Sequence, residues 1–109
     1  MTDIDEIINK LVDFRNQRDW KQFHNPKDLA AALSIEASEL LECFLWKSSE
    51  EATKERVREE LADVFSYAFL IAEHYDFDVK DIIMDKIIKN DQKYPVEKAK
   101  GKGDKYSEL

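Results

Sequence analysis

The sequence is poor in the residues that build tight turns and phosphate cradles. Glycine occurs twice in 109 residues, at Gly101 and Gly103, both among the last nine; proline also occurs twice. Without glycine upstream there is no P-loop and no dinucleotide-binding fingerprint. Nor is there a Gly-built two-residue hairpin, which counts against an all-β fold. Cysteine occurs once, at Cys43, excluding a disulfide framework within the chain and a multi-cysteine zinc site. Apolar runs are only a few residues long, so no membrane span is expected. The opening Met1-Thr2-Asp3-Ile4-Asp5-Glu6 is acidic and helical in pattern, unlike a signal peptide. A single cysteine and no targeting segment point to a reducing cytoplasm.

Positive charge is also in deficit. Seventeen Lys and Arg face 24 Asp and Glu, for a net charge of −7. Such a chain repels nucleic-acid polymers, so none is expected as a partner. A phosphorylated small molecule remains open if the acids hold divalent cations. A hydrophobic content of 43% is that of a globular chain, and the length suits one domain. The core of so short a chain is modest, which makes self-association a natural supplement.

What is present is helical periodicity up to Tyr94. A first segment, from about Asp3 to Arg18, carries Ile4, Ile7, Ile8, Leu11 and Phe14 on one stripe. Asn25-Pro26 opens a second, with Asn as N-cap and Pro at the first helical position; the pattern carries it to about Trp46. Ser48 and Glu51 form a possible capping box for a third, reaching about Tyr75. Asp78 caps a fourth, which runs to about Lys93 ahead of Pro95. The expectation is an all-α four-helix bundle over residues 1–95, followed by a tail, 96–109, without apolar period.

Acidic pairs three apart are common here, so their spacing alone says little. Position relative to each apolar stripe says more. With Leu29 at zero and roughly 100° per residue, Leu33, Leu40 and Phe44 fall at about 40°, 20° and 60°, and Glu36 at about 340°, inside the apolar arc. Glu39 lies on its border and Glu42 well outside. On the third helix Val57, Leu61, Val64, Ala68 and Ile71 make the stripe; Glu60 sits on its shoulder, continued by Asp63, Tyr67 and His74. On the fourth, Lys86 and Asn90 fall inside the arc of Val79, Ile82, Ile83 and Ile87, with Lys93 at its edge.

Unpaired charge in a core costs several kcal/mol. Two carboxylates ~4 Å apart repel by about 4 kcal/mol at an effective dielectric near 20. Four facing acids therefore need a counter-charge. Divalent cations supply it, and Mg²⁺ takes oxygen ligands, usually one or two carboxylates plus substrate phosphates. The plainer arrangement is a buried Glu36–Lys86 salt bridge with the other acids partly solvated. A di-iron bundle is set aside, because neither His24 nor His74 has a Glu three residues before it.

The chain resembles the MazG-like all-α nucleoside triphosphate pyrophosphohydrolases. Glu36-Ala37-Ser38-Glu39, followed after twenty-one residues by Glu60-Leu61-Ala62-Asp63, matches their E-x-x-E…E-x-x-D signature. Arg18-Asp19-Trp20-Lys21-Gln22-Phe23-His24-Asn25-Pro26, Phe44-Leu45-Trp46-Lys47, Glu59-Glu60-Leu61-Ala62-Asp63-Val64, Lys89-Asn90-Asp91-Gln92-Lys93-Tyr94-Pro95 and Gly103-Asp104-Lys105-Tyr106 resemble the dCTP pyrophosphatase branch. The resemblance implies Mg²⁺-dependent cleavage of a (d)NTP, with dCTP the first guess, to the monophosphate and pyrophosphate, serving nucleotide-pool sanitation or balance. It implies Glu36, Glu39, Glu60 and Asp63 as the catalytic metal ligands, and Lys86, Asn90, Lys93 and Tyr94 near the triphosphate or sugar. Trp20, Trp46 and Tyr67 would enclose base and sugar, with His24 at the mouth; some relatives have a histidine where Leu11 stands. It also implies a homo-oligomer, tetramer or dimer, whose neighbouring subunits complete the nucleotide pocket. Two alternatives on the same scaffold are a non-catalytic Mg²⁺ or nucleotide sensor and a helical protein-interaction module.

Overall fold

A computed structural model describes all 109 residues, and every regular element is helical. The order is α1 (Asp3–Gln17), α2 (Pro26–Glu42), α3 (Lys54–His74), α4 (Val79–Lys93) and the short α5 (Val96–Ala99), with 3₁₀ turns at Lys21–Phe23, Ser49–Glu51 and Tyr106–Glu108. The all-α class is as expected from the sequence. The chain divides into two compact units, Met1–Asp76 and Phe77–Leu109.

In the first unit α2 and α3 form the principal helix pair, and α1 packs on α3. Local chemistry sets the starts. Thr2 and Asp5 make a reciprocal capping box on α1. The Asn25 side chain accepts from the Asp28 backbone N–H at 2.9 Å, with Pro26 next in line, the pairing that suits a first helical turn. Leu29, Cys43, Leu70 and Ala72 are buried. Arg15 is buried as well, its guanidinium 3.2 Å from the Glu73 carboxylate, which ties α1 to α3.

Two boundaries differ from the sequence reading. The helix expected to reach Trp46 ends at Glu42, where bonds from Cys43, Phe44 and Leu45 N–H to carbonyls three residues back tighten the chain out of α geometry. Trp46 follows with φ +60°, a left-handed conformation unusual for a bulky residue. The third helix starts at Lys54, not directly after Ser48: the Ser48 hydroxyl bonds the Glu51 side chain at 3.1 Å within a separate 3₁₀ turn, and extended Ala52 breaks the run.

In the second unit Asp78 caps α4, its side chain accepting from Asp81 N–H at 2.9 Å. Val79 is buried, but Ile82, Ile83 and Ile87, expected to face a core, are about half exposed in this single chain. Lys86 and Asn90, placed on the same arc by the sequence, are exposed too. The apolar arc is real; the chain by itself does not cover it. The segment beyond Pro95 turns at Gly101, whose φ of +77° is natural only for glycine.

Candidate active site

Helices α2 and α3 bring the four signature acids together. The three-residue spacing on each helix puts Glu36 with Glu39 and Glu60 with Asp63 one turn apart on a single face. Carboxylate oxygens of Glu36, Glu60 and Asp63 lie within 4.8 Å of one another, and Glu39 interacts with both Glu36 and Glu60. Glu36, Glu39 and Glu60 are half-buried, while Asp63 is exposed. Neither ion pair in the chain, Arg15–Glu73 or Arg58–Glu55, involves any of the four.

The electrostatics are those of crowded like charge. Burial, then hydrogen bonding and repulsion from Glu39, then Asp63 and Glu60, push the Glu36 carboxyl up from 4.5 to about 7. Glu60 is also raised, by burial and by Glu39 and Asp63, with Arg56 opposing. One oxygen each of Glu36 and Glu60, Oε2 in both, is buried with no hydrogen-bond partner. An orphaned buried carboxylate oxygen is costly, and two of them facing a third acid are the donor set a hard cation takes. The residues present fit a divalent metal.

Beside the acids lies a cavity of about 240 Å³ lined by Leu11, Trp20, His24, Asp63, Tyr67 and neighbouring side chains. Asp63 borders both features. Tyr67, one turn further along α3, has its phenol pushed up by burial and by the charges of Glu36, Asp63 and Glu39, so it stands between acids and cavity. Trp20, 44% exposed, meets Phe14 edge-on with ring centroids 5.8 Å apart. The imidazole of His24 is held below its usual pKa by burial and by the charge of Arg15, favouring the neutral ring. Its Nδ1 is buried without a partner. A neutral imidazole offers one donor and one acceptor, and an unmet nitrogen at a cavity wall is free to read a ligand.

Of the aromatics and His24 that the sequence singled out, the cavity gathers Trp20, His24 and Tyr67. Trp46 is not among its walls; it projects from the loop after α2 at 94% exposure. Lys86, Asn90 and Lys93 lie on the exposed surface of α4, and Tyr94 is its C-cap. The Lys86 ammonium is pushed down first by the charge of Lys93, then by burial and by Lys89, so these lysines face one another. Ser66 was not anticipated as a cavity wall. Its position three residues after Asp63, on the same helical face, was the available signal.

Comparison with known proteins agrees with this picture. A model of the MazG-like family matches residues 31–109. Mouse dCTP pyrophosphatase 1 is 37% identical over 114 residues, spanning 97% of this chain and 67% of that protein. The human dCTP pyrophosphatase 1 is 34% identical with the same coverage. A crystal structure of a pyrophosphatase from Archaeoglobus fulgidus superposes with a TM-score of 0.80 at 36% identity, over 87% of this chain and 94% of that one. With an E-x-x-E and E-x-x-D pair facing each other across two helices beside an aromatic cavity, the chain belongs to the MazG-like family.

Proposed function

We propose that the protein is a Mg²⁺-dependent nucleoside triphosphate pyrophosphohydrolase that prefers dCTP and releases dCMP and pyrophosphate. The observation that carries this reading is the cluster of Glu36, Glu39, Glu60 and Asp63, with two orphaned buried oxygens, at the edge of an aromatic cavity. The names of the mouse and human relatives point to dCTP. A nucleotide fits both halves of the site, with its phosphates at the acids and its base and sugar at Trp20, His24 and Tyr67.

In this reading Glu36, Glu39, Glu60 and Asp63 hold the metal, which when bound neutralises phosphate oxygens and lowers the pKa of bound water. The protein's own residues do the rest. A carboxylate of the cluster accepts the proton of the attacking water. The indole of Trp20 stacks on the base and keeps water from that face, and the open nitrogen of His24 meets a polar edge of base or sugar. Lys86, Asn90, Lys93 and Tyr94 bind the triphosphate. Residues 1–95 act as the catalytic domain.

The enzyme works as a homo-oligomer, tetramer or dimer. The uncovered Ile82, Ile83 and Ile87 on one side of α4, with Met84 and Ile88 exposed on the other, support this, since so many large apolar side chains on one helix are costly to leave in water. Trp46 supports it as well: an exposed tryptophan in a left-handed conformation is a strained arrangement that a role in a neighbour's pocket explains. The lone Cys43, buried and unpaired, suits a reducing cytoplasm.

The decisive test incubates the protein with each common dNTP and NTP plus Mg²⁺ and resolves the products by ³¹P NMR. Monophosphate plus pyrophosphate, fastest from dCTP and lost in Glu60→Gln, is expected. Release of orthophosphate, or metal-independent turnover, would overturn the reading.

A further inference from the structure

The end of α4 carries positive charge without acid partners, and the C-terminal segment returns to meet it. Lys86 and Lys93 lie close enough that Lys93 pushes the Lys86 ammonium down, with burial and Lys89 adding to it and no carboxylate opposing it. Left alone, a lysine on a flexible four-carbon stem would swing away from its neighbour. The Lys93 ammonium does not. It lies over the ring of Tyr106, 5.0 Å from the centroid. The same ring meets Tyr94 edge-on, with centroids 6.1 Å apart and planes at 87°.

Tyr106 reaches this place because the chain reverses after α5. The Lys102 N–H bonds the Ala99 carbonyl at 3.0 Å, Gly101 takes its φ of +77°, and a 3₁₀ turn from Tyr106 to Glu108 closes the segment. Gly101 stands in open space, where an added Cβ would meet nothing within 4 Å, so backbone conformation alone demands glycine there.

We propose that Tyr106 is a positioning residue: through a strap turned at Gly101, its ring holds the Lys93 ammonium and the Tyr94 ring in place for the triphosphate of the substrate. This rests on the reading above that Lys93 contacts the phosphates. The chemistry explains why a ring is used rather than an acid. A carboxylate beside Lys93 would hold it by cancelling its charge. An aromatic face attracts the ammonium through its quadrupole and leaves the full charge for phosphate. The phenolic hydroxyl plays no part in either contact.

Steady-state kinetics with dCTP and Mg²⁺, and product inhibition by pyrophosphate, test this in full-length Tyr106→Leu, Tyr106→Phe, Gly101→Val, Lys93→Ala and the Lys93→Ala/Tyr106→Leu double variant. Tyr106→Leu and Gly101→Val are expected to raise KM and the pyrophosphate inhibition constant about two- to fivefold, with kcat little changed. Tyr106→Phe should match the wild type, and the double variant should be no worse than Lys93→Ala alone. An unchanged KM in Tyr106→Leu beside a raised KM in Lys93→Ala would overturn the strap and leave the phosphate role of Lys93 standing. Additive losses in the double variant, or a fall in kcat alone, would also overturn it. A silent Lys93→Ala would remove the phosphate role and the strap with it.

Discussion

Glu36 carries an unusual burden for a single carboxyl. Its pKa near 7 in the metal-free chain, against 4.5 for an ordinary one, means that the fold keeps a proton which the unfolded chain releases. The stabilising contribution of that proton is whole below 4.5 and is lost as pH rises to about 7. Calorimetry in the presence of a chelator should therefore show the melting temperature falling across this window, and Glu36→Gln should flatten the fall. Because a cation must displace the same proton, Mg²⁺ affinity should rise over the same range, as titration calorimetry would show. Glu60→Gln separates chemistry from stability. It should cut dCTP turnover by at least about a hundredfold, yet raise the melting temperature of the metal-free protein, because one of several repelling charges is gone. A drop in both would mean that Glu60 supports the fold rather than the reaction.

At the scale of the helix, the caps show where local sequence decides. Asn25 and Asp78 each accept a backbone N–H three residues on at 2.9 Å. Replacing either by Ala should cost about 1 kcal/mol in urea unfolding. The hydroxyl of Ser48, which a sequence pattern marks equally well, bonds only the exposed side chain of Glu51 and no backbone N–H. Ser48→Ala should change stability by less than about 0.5 kcal/mol. The contrast checks whether α3 begins at Lys54 in solution. The capping-box pattern at Ser48 misled because it specifies a turn, and the extended Ala52 prevents that turn from growing into the next helix.

The whole molecule is defined by what one chain leaves uncovered. Few side chains are fully buried, while α4 exposes Ile83 at 52%, Ile87 at 55% and Ile88 at 59%. A second copy is the proposed cover, and light scattering coupled to size exclusion should report a mass two or four times that of the chain. Ile87→Glu should shift it downward, since an ionised carboxylate at a closed apolar interface has no partner. Ligand linkage offers a further check. Mg²⁺ with a non-hydrolysable dCTP analogue at about a hundred times its dissociation constant should stabilise the native state by about 2.7 kcal/mol.

Much of this molecule is legible in its amino-acid order alone. The scarcity of glycine, the 3.6-residue period and the caps at Asn25 and Asp78 determine an all-α chain, because they act within one or two turns of backbone. Spacing also determined that Glu36 pairs with Glu39, and Glu60 with Asp63, since residues three apart on a helix must be neighbours. Tertiary structure alone decided that the two pairs face each other, that an oxygen of Glu36 and one of Glu60 are left buried without partners, and that Trp20, His24 and Tyr67 share a cavity with Ser66 while Trp46 stands apart. It also decided that Tyr106 returns to Lys93. Those relations join residues far apart in sequence, and no periodic pattern records a distance that only the packing of one helix on another creates.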